Sequence, residues 1–373
     1  MTVAASTFIS SFTVSGPGTR VAVKDIIDMA GVPTTSGSRV LAETAQPAAQ
    51  DAACLAGLRA AGGQIVGRTN LHELALGVTG INPWFGTPEN PLDVSRVPGG
   101  SSSGSAVAVA TGAADVAYGT DTGGSVRIPA ACCGISGLKT TFGRVPVAGV
   151  RPLAPTMDTI GPMARDVAGL VLGMQLLEPG FTPDPGTGPV RVGWLRIPAA
   201  DGINDAVAKV LRATSWEVSD VDPDDWLTAT RWTGPLLVAE AYQANKELFD
   251  KHAGRLSPDV AQRLDAGRQV AAETVTAATA ARARFRAQLT ALFERFDVLV
   301  SPTLLIFPPP LDDAGRLLEA RCTLPVNFAG VPALSLPIPA SGPLPASIQL
   351  MSAPGGEERL LAAGAVIEAA ASS

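Results

Sequence analysis

The segment Val97–Ser125 constrains this chain more than any other. "VPGGSSSG" runs without a spacer into "SAVAVATGAA", and "VAYGTDTGGS" follows at once. A Gly/Ser tract that feeds straight into an Ala/Val helix is not a flexible linker. Side chains that small are buried only when the helix lies close against a sheet. The segment therefore reads as loop, tightly packed helix, strand and glycine turn.

The same alternation extends outward. "RVAVKD" and "QIVGRTN" read as strands, and "AAQDAACLAGLRAAGG" as a helix stopped by paired glycines. Residues 6–24 read as extended, with a Gly-Pro-Gly turn before the closing run. Strands alternate with helices to about residue 178, which predicts an α/β chain: a mixed β-sheet core covered by helices on both faces. From about 200 to 295 the pattern is mainly helical. "DVLVSPT" and "PALSLPIP" return to strand, and "EERLLAAGAVIEAA" is an amphipathic helix. "PGFTPDPGTGP" (179–189) is the best hinge, but strand patterns flank it. The expectation is one domain over 1–373 with a variable, mainly helical region at about 200–295.

Composition excludes several classes. A net charge of −6 argues against nucleic-acid binding, which needs a basic surface. No run of apolar residues is long enough to predict a membrane span, and "MTVAASTFIS" lacks a signal-peptide pattern. Cys54, Cys132, Cys133 and Cys322 form no disulfide framework, so reduced thiols and a cytoplasmic setting are expected.

"TGGS" can carry chemistry. Glycines before Ser125 let backbone N–H groups converge on a developing oxyanion, but a serine hydroxyl needs a base to become a nucleophile. The chain has only two histidines, His72 and His252, and both lie in polar contexts that read as solvated surface. A His-based metal site is not expected either. Lysine can replace histidine in such triads, whereas arginine does not deprotonate. Of five lysines, Lys209, Lys246 and Lys251 fall in the helical region, leaving Lys24 and Lys139. A lysine in water is neutral about once in a few thousand molecules at pH 7, and burial is what changes that. Lys24, behind "VAV", has the more apolar approach, with Asp25 and Asp28 expected to oppose the shift if they face it.

Together these blocks resemble the amidase signature family, whose hydrolases use a Ser–cis-Ser–Lys triad. "VAVKDIIDMAGVPTTSGS", "AGGQIVGRTNLHELALG", "VPGGSSSGSAVAVATG" and "GTDTGGSVRIPAACCGISGLKTTFGRVP" follow the order of the family's signature blocks. The resemblance implies Ser125 as nucleophile, Ser101 as the cis-serine and Lys24 as base. It implies an oxyanion hole from the N–H groups of Thr122, Gly123, Gly124 and Ser125. Ser102 would support the triad, and Asp121 and Arg127 would brace the loop. No cofactor or metal is implied. Ser103 departs from the family, which usually has glycine there.

The implied activity is cleavage of the C–N bond of a small soluble amide or ureide through an acyl-enzyme on Ser125. The partners expected are this substrate and, as an open option, a second copy in a homodimer. Pocket candidates are Met157 above all, then Trp194, Trp232, Tyr242 and Phe307. The alternative is the A-type subunit of a glutamine-dependent aminoacyl-tRNA amidotransferase. The short chain and the lack of a basic surface weigh toward the free-standing hydrolase. Two other readings fail on missing companions: "DTG" at 121–123 has no second copy, and Ser136-x-x-Lys139 lacks SDN and KTG.

Overall fold

The computed structural model describes residues 5–186, 190–222 and 224–372. Its centre is an eleven-stranded sheet. In chain order the strands are β1 (Phe8–Ser11), β2 (Arg20–Lys24), β3 (Gln64–Thr69), β4 (Val116–Asp121), β5 (Ser136–Lys139) and β6 (Thr159–Ala164). Then come β7 (Arg191–Leu195), β8 (Glu217–Val221), β9 (Val298–Pro302), β10 (Ala333–Ile338) and β11 (Ala346–Met351). Their order across the sheet is β1-β3-β2-β4-β6-β5-β10-β11-β9-β7-β8. The β3–β2–β4 ladder is parallel, as is β9–β7–β8, and antiparallel pairs join the two.

Alternation along the central strands explains the layers. Val21, Val23, Val116 and Tyr118 belong to one hydrophobic cluster, while the residues between them, Ala22 and Ala117, belong to another. Successive side chains of a strand point to opposite faces, so these clusters are the two sides of the sheet. On one side the Ser103–Ala110 helix supplies Ala106, Val107, Ala108 and Val109. On the other the Val167–Leu177 helix supplies Leu170 and Met174, and Tyr118 donates its hydroxyl hydrogen to the Gly173 carbonyl at 3.2 Å. Both faces are covered, as the uninterrupted burial of β4 requires.

Residues 6–24 hold two strands, β1 and β2, separated where the Gly-Pro-Gly turn was expected by a loop with Gly16 and Gly18 at positive φ. Two local readings need correction. The helix before the paired glycines is short, a turn at Ala53–Leu55 leading into Ala56–Ala60. The region expected to be mainly helical contains β8, between the Ile203–Arg212 and Asp224–His252 helices. β8 is an exposed edge strand carrying Glu217 and Asp220, charges that discourage further strand pairing and also mask its pattern. Within the hinge segment, residues 187–189 lie outside the described residues; strands on both sides of it join the same sheet.

Where β6 crosses β5, a Cβ on Gly161 would overlap the Leu138 carbonyl oxygen, which the ladder holds in place. Gly161→Ala is expected to destabilise the protein by roughly 3 kcal/mol or more. Urea denaturation checks this; a midpoint equal to the parent's would contradict it.

Candidate active site

β2 and β4 are parallel neighbours, so Lys24 and Asp121 close their strands at the same edge of the sheet. Ligands of open α/β sheets gather outside that carboxyl edge. The loop after β4 carries Thr122–Ser125, and the loop before the Ser103–Ala110 helix carries Ser101 and Ser102. The Gly100–Ser101 peptide is cis. The two loops are tied together, the Ser102 N–H donating to the Ser125 carbonyl at 3.2 Å. The Ser102 hydroxyl reaches the Thr120 carbonyl at 3.4 Å.

Lys24 is fully buried. Its Nζ donates to Ser101 Oγ at 2.7 Å and to Thr120 Oγ1 at 2.8 Å. Burial pulls the ammonium down from 10.5 to about 7, against the charges of Asp121 and Asp158, which favour the protonated form. Asp25 and Asp28 do not play the opposing part expected of them. Asp25 instead pairs with Arg68 at 2.6 Å and is itself raised to about 6 by burial. Lys139 is equally buried and also drawn down to about 7 by desolvation, but its Nζ donates to the carbonyls of Thr140 and Val331. Those contacts give it a structural post away from the serines.

Asp121 and Arg127 form a completely buried ion pair of 2.8 Å. Burial alone would raise the carboxyl, but Arg127 and the Asn327 amide hold it well below the ordinary range. Asp121 accepts from the N–H groups of Gly124 (2.9 Å) and Val126 (3.1 Å), which shapes the loop around Ser125. The Gly124 N–H is therefore committed inside the loop, a correction to its expected place among the oxyanion donors. Thr122, Gly123 and Ser125 have no such acceptor among the described residues. Gly124 sits at φ +130°, and a Cβ there would strike the Thr323 side chain. Ser125 is 6% exposed, and its hydroxyl has no direct partner among the described residues. Such looseness is usual before substrate binds.

Several neighbours went unread in the sequence. Thr120 shares the lysine. Asp158 accepts from the Thr122 hydroxyl at 2.6 Å and from the N–H groups of Leu153 and Ala154. Thr323 donates to the Gly123 carbonyl at 2.6 Å, while Gln349 and Asn327 accept from Arg127, each at 2.6 Å. His72 is buried, not solvated: Asp259 lies 2.8 Å from its Nε2, and its backbone N–H donates to the Ser101 carbonyl at 3.0 Å. Met157 has no exposed surface and packs in the cluster with Ala154, Leu236 and Phe328, so its side chain serves the core. Ser103 is buried with its hydroxyl unpartnered among the described residues. No described helix is long and apolar enough to cross a membrane.

Removing the charge of Asp121 leaves Arg127 buried and unpaired, a loss of about 3–5 kcal/mol. Asp121→Asn is expected to lower the melting temperature sharply; an unchanged melting curve would contradict the brace.

The model of the Amidase family matches residues 17–361. The A-type subunit of glutamyl-tRNA(Gln) amidotransferase from Halobacterium salinarum is 35% identical, over 97% of this chain and 99% of its own length. The AtzE subunit of 1-carboxybiuret hydrolase from Pseudomonas sp. strain ADP is 31% identical over 94% of this chain and 83% of its own. The crystal structure of an amidase superposes with a TM-score of 0.84 at 32% identity, covering 94% of this chain and 84% of the other.

Proposed function

Because the chain belongs to the amidase family of hydrolases acting on C–N bonds, we propose that it cleaves a small amide or ureide through an acyl-enzyme on Ser125. One observation carries this reading: a buried lysine drawn down to about 7 lies 2.7 Å from Ser101, in the loop bonded to that of Ser125. A base near neutrality is what a serine nucleophile needs.

In the proposed reaction, neutral Lys24 takes the proton of Ser101 as Ser101 takes that of Ser125. Ser125 Oγ bonds to the carbonyl carbon, and the N–H groups of Thr122, Gly123 and Ser125 hold the oxyanion. The C–N bond then breaks with the proton returned through Ser101 to the leaving amine. Water, deprotonated through the same relay, attacks the acyl-enzyme, releases the acid and restores Ser125. Asp121 and Arg127 keep the loop in shape, and Ser102 supports the serine pair.

A second reading has its own support. The Halobacterium relative, one component of an amidotransferase, matches over 99% of its length, so a short chain does not separate the hydrolase from such a component. The two differ in the need for a partner: glutaminase activity that appears only with a copurifying protein would favour the amidotransferase.

Ammonia release from primary amides, aryl amides and ureides is expected from the parent and not from Ser125→Ala. Lys24→Ala should lower kcat/KM about 10²- to 10⁴-fold. Since the base acts when neutral, kcat/KM should climb about tenfold per pH unit below an inflection near 7 and level off above it. Release that survives in Ser125→Ala, or a rate flat from about pH 5 to 10 with chemistry limiting, would overturn the mechanism.

A further inference from the structure

Asp25, Glu73, Asp121 and Glu357 are the fully buried carboxylates among the described residues. Three of them face a guanidinium: Arg68 lies 2.6 Å from Asp25, Arg127 2.8 Å from Asp121 and Arg144 2.8 Å from Glu357. Glu73 has no such partner among the described residues. Its Oε2 accepts from the Ser257 N–H at 2.6 Å, and its Oε1 is buried without a partner. A water molecule can satisfy an oxygen's hydrogen bonding but not its charge, and a carboxylate enclosed without a counter-charge is costly.

The surroundings offer oxygen and no cation. Ser36 and Ser38 have no exposed surface, and their hydroxyls are unpartnered among the described residues. Three bonds gather the segments concerned. The Leu74 N–H donates to the Ser36 carbonyl at 2.8 Å, Arg39 Nε to the Arg255 carbonyl at 3.0 Å, and the Ser257 N–H to Glu73. Both arginines here are engaged elsewhere: Arg39 lies 4.0 Å over the Trp84 ring, and Arg255 grips Glu43. The ring of His72 is taken by Asp259. Ser36, Leu74 and Ala75 are also the non-glycine residues at positive φ among the described residues, a costly backbone of the kind that ligand clamps hold.

Whatever replaces the missing guanidinium must carry positive charge and accept oxygen donors. We propose that Glu73, with the Ser36 and Ser38 hydroxyls, binds a monovalent metal cation of the sodium or potassium class. Hard cations take carboxylate and hydroxyl oxygens, and a single carboxylate balances a single charge. The position gives the ion a task. The Ser36 N–H donates at 2.8 Å to the carbonyl of Asp25, the residue after Lys24. His72, the residue before Glu73, donates its N–H to the Ser101 carbonyl at 3.0 Å. The ion thus ties the segment behind Lys24 to the one that holds Ser101. This site stands independently of the hydrolase reading, and its test needs no turnover.

The test is the melting temperature of the full chain in choline, sodium and potassium chloride at equal ionic strength. Sodium or potassium should raise it by about 2–5 °C over choline, saturating with concentration. Glu73→Gln keeps the shape without the charge and should melt at one temperature in all three salts. If Glu73→Gln does not fold, Ser38→Ala decides: losing one ligand should raise the half-saturating concentration about tenfold. Titration calorimetry with the stabilising ion in choline buffer reads binding directly, and Glu73→Gln should abolish its heat. A parent that melts identically in the three salts, or an alkali-ion effect that survives in Glu73→Gln, would overturn the site. Stabilisation by calcium or magnesium and by neither alkali ion would overturn its monovalent character.

Discussion

The burial of Lys24 at the end of β2 is the constraint around which the rest of the site is arranged. A lysine in water keeps its proton at neutral pH almost without exception. Enclosing the amine removes the solvation that favours the ammonium and brings it to about 7. The enclosure comes from fold features with no chemistry of their own: a sheet covered on both faces and small-residue helices that lie close. Two hydroxyls, from Ser101 and Thr120, then satisfy the nitrogen in either protonation state. Neutral, it accepts from one of them; protonated, it donates to both.

A second buried interaction fixes the loop that meets this base. Asp121 ends β4 and accepts from the N–H groups that follow, so the strand's last residue folds the loop over itself. Arg127 extends the brace to later parts of the chain, donating to Gln349 on β11 and to Asn327 and Thr323 around the Leu324–Ala329 helix. The loop of Ser125 is thus held by segments about two hundred residues away, and its geometry depends on the whole sheet having closed. The local cost of a positive φ at Gly124 is met by a residue without a Cβ.

How much of this could be read in the sequence follows from chemistry more than from pattern. Lys24 and Ser125 stand out because lysine is scarce and the serine follows paired glycines, whereas Ser101 is singled out of its serine tract only by the family resemblance. Thr120, Asp158, Thr323, Asn327 and Gln349 are common polar residues in ordinary contexts, and their partners are mostly remote in the chain. His72 misled for the same reason: its polar neighbours suggested solvent, whereas its acid, Asp259, is 187 residues away. The central strands were legible as apolar runs, and β8 was not, because an edge strand facing water carries charges in place of a pattern.

The central claim is that Lys24 exchanges its proton near neutrality inside the folded protein. An NMR titration of the five lysines, isotopically labelled at the side-chain terminus and assigned by Lys24→Arg, reads this directly. The account predicts a Lys24 midpoint near 7, well below that of Lys246, whose ammonium is favoured by its hydrogen bond to Asp250. A Lys24 midpoint near the ordinary 10.5 would contradict it and leave Ser125 without a base.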